Sequence, residues 1–322
     1  MQAVICENHE TLKLASIPAP TLMKNQVLVN VKATAVNRAD ILQRRGKYPP
    51  PPGASEILGL EIAGVVTEVS DKKHQAWLGQ HVMGLVPGGA YAEYCTIDAD
   101  CLIPIPEHWD FTTAAAVPEV FLTAMACVFE LGKLAPRQSI LIHAGASGVG
   151  TAAIQLAAQS NAKVFFTTSS QAKIDKVQQL VPCNGINYKT EKFIAAIMQQ
   201  TQNQGVDVII DFIGAAYLAD NIQCLKPCGR LVLVGLLGGA KAEINLAPIL
   251  RRRLSLLGMN LRNRSLAEKR QLTQQFQERW LPKLTSGELK PLIDSTFAMA
   301  EVQQAHDYIE NNQNIGKVIL TW

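Results

Sequence analysis

The run Ser139-Ile140-Leu141-Ile142-His143-Ala144-Gly145-Ala146-Ser147-Gly148-Val149-Gly150 carries the plainest chemical signal in this sequence. An apolar stretch suited to a buried parallel strand leads into a turn of small residues. The turn opens a helix whose apolar positions include Val149, Ile154, Leu156 and Ala157. Little side-chain bulk at Gly145, Ala146, Ser147, Gly148 and Gly150 lets backbone N–H groups reach a pyrophosphate, and the positive end of the helix favours the same charge. The chemistry is dinucleotide binding. Ser147 stands where the G-x-G-x-x-G pattern has its middle glycine, yet strand, turn and helix follow in the required order.

Parallel sheets that prefer NAD place a carboxylate about 20 residues past the first glycine, against the ribose 2′-hydroxyl. No Asp or Glu occurs between Glu130 and Asp175. The second strand ends instead in Thr167-Thr168-Ser169-Ser170, with Lys173 one helical step further on. Hydroxyls and an ammonium group suit a 2′-phosphate, so the expected cofactor is NADPH.

The elements that position these residues belong to a chain of 322 residues, enough for about two domains. A hydrophobic content of 48% with 18% charged residues excludes disorder. To about Val117 the chain reads as β-rich, its short runs separated by Pro and Gly, and Pro49 to Pro52 form a stiff extended loop fit to frame a cleft. From about Phe121 strands alternate with helices: strands at 140–143, 164–167, 206–212, 230–235 and 254–258, helices around 151–160, 171–180, 191–201 and 215–225. That alternation signals a doubly wound parallel sheet. Helical patterns over 265–284 and 302–311 precede a last strand from Lys317.

A net charge of +3 gives no reason to expect nucleic acid. Arg251, Arg252, Arg253, Arg262, Arg264, Lys269 and Arg270 crowd one region and read as a solvated rim, with room for one arginine near a cofactor. The longest apolar runs read as broken before membrane-spanning length, and the first residues have no leader pattern, so the expectation is a cytoplasmic protein without a membrane partner. Seven scattered cysteines, never spaced C-x-x-C, read as reduced thiols.

Taken together, the chain resembles the zinc-free quinone oxidoreductases of the medium-chain dehydrogenase/reductase superfamily, relatives of zeta-crystallin, and most of all the p53-inducible quinone oxidoreductase branch. The likeness rests on Ala35-Val36-Asn37-Arg38-Ala39-Asp40, Gly46-Lys47-Tyr48, Pro50-Pro51-Pro52-Gly53-Ala54-Ser55, Ile57-Leu58-Gly59-Leu60-Glu61, His143 to Leu156, Ile186-Asn187-Tyr188-Lys189 and Asn314-Ile315-Gly316-Lys317. The resemblance implies an α/β protein: a GroES-like β-barrel domain from residues 1–120 and 263–322, a Rossmann domain over 121–262, and an active site in the cleft. It implies that Ser147, Gly148 and Val149 cradle the pyrophosphate and that Ser169, Lys173 and Tyr188 hold the 2′-phosphate. Asn37 and Thr123 would lie near the nicotinamide, Gly214, Gly235 and Leu236 would line the strand ends, and Leu261 and Lys317 would border the cofactor cleft. Tyr48 would face the substrate, beside Asn37, and the protein would be a homodimer.

Zinc-dependent members of that superfamily carry a Cys and a Gly-His-Glu motif in this region. Here Gly59-Leu60-Glu61 has leucine for histidine and the neighbourhood of Asn37 has no Cys, so no catalytic metal is expected. Cys95 and Cys101 are too few for a structural cage, and His74 and His81 read as non-ligands. Without a Lewis acid, the accessible chemistry is hydride delivery to an acceptor that is already electrophilic, a quinone or an enone. Tyr48 is the candidate proton donor. The alternatives are an enone or enoyl-thioester reductase and a non-catalytic NADPH-binding redox sensor.

Overall fold

Alternating apolar and polar side chains over the first 36 residues give β1 (Gln2–Glu7), β2 (Thr11–Ser16) and β3 (Gln26–Val36). A computed structural model describes the whole chain, Met1 to Trp322. It divides into two units, Met1–Leu122 with Arg262–Trp322, and Thr123–Leu261. In the first unit α1 (Arg38–Arg44) follows β3, then come β4 (Glu61–Val69), β5 (His81–Leu85), β6 (Tyr94–Asp98), β7 (Leu102–Pro104) and α2 (Phe111–Ala115), and α3 (Pro118–Met125) carries the chain across the boundary. Pro49 to Pro52 belong to no strand or helix, as a missing N–H donor requires.

The second unit alternates strand and helix: β8 (Ser139–Ile142), α4 (Gly148–Gln159), β9 (Lys163–Thr168), α5 (Gln171–Gln178), β10 (Asn184–Asn187), α6 (Phe193–Gln200), β11 (Val206–Asp211), α7 (Ala215–Cys224), β12 (Leu225–Leu233), α8 (Ala247–Arg252) and β13 (Ser255–Gly258). The chain returns to the first unit through α9 (Leu266–Arg279), α10 (Leu281–Thr285), β14 (Ile293–Ala298), α11 (Val302–Glu310) and β15 (Lys317–Thr321).

The strands of the second unit form one parallel sheet in the order β10-β9-β8-β11-β12-β13. The chain builds outward from β8 in one direction and then from β11 in the other. The strand order therefore reverses beside β8, where such sheets bind ligands at the carboxyl ends of their strands. Leu141, Phe165, Ile186, Ile209 and Leu231 bury one face against α6 and α7. The first unit is a seven-stranded sheet, β14-β15-β3-β4-β5-β7 with β6 on β3, and β1 and β2 make a separate hairpin. Val27, Val29, Val31, Ile62 and Val82 fill its core.

One sequence expectation is corrected. Phe111–Leu131, continued past α3 by a π-helical turn at Ala126–Leu131, is long and apolar enough to cross a membrane by length and composition. α2 closes at its cap Ala116 and α3 starts afresh at Pro118, a first helical position that has no N–H to lose, so the segment is two successive helices and the π-helical turn. Of its most apolar window, 78% is buried inside the protein, as in a core helix.

Candidate active site

After β8, Ala144 takes φ +48° to turn the chain, and the Gly145 amide donates to Thr167 O at 2.9 Å, drawing the turn against the end of β9. The close approach dictates glycine: a Cβ on Gly145 would lie 2.5 Å from the Phe166 ring, and one on Gly150 would lie 2.5 Å from Ala144 O. Ser147 is the N-cap of α4, its Oγ accepting the Gly150 N–H at 3.0 Å. The hydroxyl oxygen thus serves the helix as acceptor, and its O–H proton is not used in that bond. The first-turn amides of Gly148 and Val149 precede the first intrahelical bond, Thr151 N to Ser147 O, and are the donors a phosphate would meet. Ala146 is buried in the turn.

Ser170 caps α5, its Oγ accepting from Lys173 N at 3.3 Å, which fixes the first turn that carries Lys173. β10 pairs Asn187 with Thr168, and the Tyr188 amide donates to Thr168 O at 3.1 Å. Ser169, half-buried Lys173 and the 44%-exposed Tyr188 are therefore gathered at the carboxyl ends of β9 and β10. The acid nearest in sequence, Asp175, bonds to Gln171 on the exposed side of α5. Gly214, at φ +80°, donates to Asp211 Oδ2 at 3.1 Å and opens α7. A Cβ on Gly235 would stand 2.9 Å from Phe212 O, and exposed Leu236 follows it. These positions lie at the carboxyl ends of the sheet's strands, where a dinucleotide would bind. Buried Thr123 and Leu261 begin and end this unit.

His143 is enclosed at the same strand ends. Asn221 Oδ1 lies 2.7 Å from its Nε2, Thr167 Oγ1 lies 3.0 Å from its Nδ1, and the rings of Phe193 and Tyr217 pack against it. Burial lowers its pKa to about 4, so the ring is neutral and fastens β8 to β9 and α7. Asn221 in turn donates to Asp211, whose carboxyl burial raises to about 6.

In the first unit the order β15-β3-β4 brings three strand ends together. Lys317 Nζ donates to Glu61 Oε1 at 2.7 Å and to Asn37 Oδ1 at 2.8 Å, while Asn37 Nδ2 donates to the same Glu61 oxygen at 2.8 Å. Glu61 Oε2 accepts the Glu119 amide in the first turn of α3 at 2.9 Å. All three side chains are buried. Asp40 lies beside them, accepting the amides of Asn37 and Gly59. Burial raises its pKa to about 6.

A zinc ion does not fit this donor set. The Glu61 carboxylate is already engaged by an ammonium, an amide side chain and a helix N–H, and no three His, Cys, Asp or Glu side chains converge anywhere in the protein. His74 bonds to Asn25 and His81 packs on Phe111. All seven cysteines are free thiols.

Tyr48 is half-buried, with the Arg262 guanidinium 5.4 Å from its ring centroid. Reading Arg262 as part of a solvated rim is corrected, since it is only 5% exposed. It donates from Nε to Pro87 O at 2.8 Å, from Nη2 to Gln43 Oε1 at 2.7 Å and from Nη1 to Tyr48 O at 3.4 Å. The only clue in the sequence was its setting after Met259 and Leu261, both of which are buried. Arg252, from the same cluster, is likewise engaged, donating to the carbonyls of Ile222, Gln223 and Leu225.

Residues 23–107 match the alcohol dehydrogenase GroES-like domain family and residues 148–278 the zinc-binding dehydrogenase family. The chain is 31% identical to the quinone oxidoreductase of Mus musculus, over 97% of this chain and 94% of that one. It is 33% identical over 94% of its length to highly-reducing polyketide synthase 1 of Aureobasidium melanogenum, of which it spans only 14%. Among solved structures, the CurK enoyl reductase superposes with a TM-score of 0.88 at 27% identity, covering 99% of this chain and 98% of that one. The Escherichia coli quinone oxidoreductase complexed with NADPH gives 0.87 at 25%, covering 100% and 99%.

Proposed function

The chain belongs to the medium-chain dehydrogenase/reductase superfamily of oxidoreductases, and within it we propose an NADPH-dependent quinone reductase that works in the cytoplasm, transfers hydride without a metal and falls in the quinone oxidoreductase branch. The observation that carries this reading is the pairing of two features. The carboxyl ends of β9 and β10 offer Ser169, Lys173 and Tyr188 with no carboxylate, while the Glu61 carboxylate beside Asn37 is held by Lys317. Likeness to a quinone oxidoreductase complexed with NADPH supports it.

When bound, NADPH supplies a hydride. The chain's own part begins with Gly145 and the amides of Gly148 and Val149, which receive the pyrophosphate, and with Lys173, which neutralises the 2′-phosphate. Asn37, fixed by Glu61 and Lys317, gives a rigid wall for the nicotinamide end. A quinone that gains a hydride carries negative charge on oxygen, and the Tyr48 phenol donates a proton to that oxygen and regains one from water. The products are a hydroquinone and the oxidised coenzyme.

The CurK likeness favours a second reading, an enone or enoyl-thioester reductase, in which the same phenol protonates carbon. We also assign a homodimer. β13 leaves one edge of the parallel sheet open, and Leu246 and Leu250 of the same unit are 66% and 81% exposed. Sedimentation should report twice the chain mass.

Optical assay of NADPH oxidation against ortho-quinones, para-quinones and enones, with NADH alongside, tests the function. Turnover of quinones with NADPH preferred is the expected result. Turnover of enones alone selects the second reading, and NADPH binding without turnover of any acceptor selects the redox-sensing role.

A further inference from the structure

We propose that Arg262 is the positioning residue for Tyr48, an inference that rests on the reading of Tyr48 as proton donor. Arg262 is buried, yet no carboxylate lies within ion-pair distance of it. Its three acceptors are neutral: a backbone carbonyl in the Pro87 turn, the Gln43 amide of α1 and the carbonyl of Tyr48 itself. A guanidinium has five N–H donors, so one donor on each Nη remains beyond these three bonds. Burying a cation without a counter-ion is costly, and a purely structural tie would be made more cheaply by a neutral side chain.

The geometry explains why the cation is kept. Planar Arg262 lies over the Tyr48 ring while its Nη1 holds the main chain of the same residue, so ring and backbone are fixed by one group. Pro87 and Gln43 anchor that group at its other edges, and a Cβ on the adjacent Gly88 would come within 3.5 Å of Arg262 Nη2. Tyr48 sits between exposed Lys47 and the proline run, outside any helix or strand. Asp40 acts on Arg262 through space without a direct ion pair, and the Lys269 ammonium bonds to the Arg262 carbonyl at 2.7 Å. The positive charge thus has no carboxylate directly paired with it and lies beside the phenol, where a reduced acceptor builds negative charge on oxygen.

A double-mutant cycle on the full chain tests this, using Arg262→Gln, Arg262→Lys, Tyr48→Phe and the Arg262→Gln/Tyr48→Phe pair, with kcat for a para-quinone and NADPH affinity read separately. Arg262→Gln should lower kcat about tenfold to a hundredfold with NADPH affinity retained, Arg262→Lys should recover part of the loss, and the pair should be no slower than Tyr48→Phe alone. Losses that multiply in the pair, or a Tyr48→Phe variant with full kcat, overturn the proposal. Isotopically labelled tyrosine rings give a second readout that needs no turnover. The Tyr48 resonance, identified by its absence in Tyr48→Phe, should shift and broaden in Arg262→Gln and sharpen again in Arg262→Lys. An unmoved resonance overturns the positioning role even if the protein proves inactive, whereas an inactive wild type with a moved resonance removes only the quinone reductase reading.

Discussion

Lys317 opens β15 and Glu61 opens β4, yet their side chains meet 2.7 Å apart with 3% and 0% exposure. Asn37, at the end of the intervening strand β3, closes the triangle. A cation that the sequence placed at the border of the cofactor cleft is thereby committed to a buried carboxylate.

Removing one member of that pair leaves the other charged and buried, which costs about 3–5 kcal/mol. Lys317→Met and Glu61→Gln should each lower the guanidinium midpoint strongly, and Lys317→Met combined with Glu61→Leu should recover most of the loss. Single variants as mild as a surface change would show that the pair is solvated in solution.

Lys173→Ala should raise the KM for NADPH about tenfold, the equivalent of about 1.4 kcal/mol, and leave that for NADH within about twofold. Steady-state kinetics with both coenzymes decides it. Equal losses would take Lys173 away from the 2′-phosphate.

Gly145→Ala drives a methyl group to 2.5 Å from the Phe166 ring, in the turn that must admit the pyrophosphate. A shift of ring or turn follows, so stability should fall by about 1–3 kcal/mol and NADPH affinity should fall with it. Gly258→Ala meets nothing within 4 Å and serves as the neutral comparison.

Burial lowers His143 to about 4 and His306 to about 3, against about 6.5 in an unfolded chain. The unfolded chain binds more protons over that interval, so the stability from these neutral rings is full above about pH 6.5 and is lost as pH falls. Asp40 and Asp211, raised by burial to about 6, act in the opposite sense: the native state holds more protons between about pH 4 and 6 and loses stability as pH rises there. Melting temperatures between about pH 4 and 6.5 should therefore drop less steeply on acidification in His143→Gln than in the wild type, and more steeply in Asp211→Asn. Parallel curves for all three would mean that these groups titrate normally.

Local rules wrote much of this protein into its sequence. The strand, small-residue turn and helix around Gly145 are one continuous segment whose period, bulk and cap residue are all visible in order, and the alternation after Phe121 dictates a parallel sheet. After Phe121, two strands escaped. β10 is Asn-Gly-Ile-Asn, with Gly185 packed on Ile174 where a side chain would not fit, and edge strand β14 is half-exposed and polar, so neither shows an apolar run. What only the tertiary structure decided lies in contacts between distant strands. Sheet order joined Lys317 to Glu61 and Asn37, and the return of the chain at Arg262 laid a guanidinium on Tyr48, 214 residues away. The physical reason is that a lone charged side chain reads as solvated until its neighbours are known. Burial and partnership belong to the packed fold and leave no trace in local spacing.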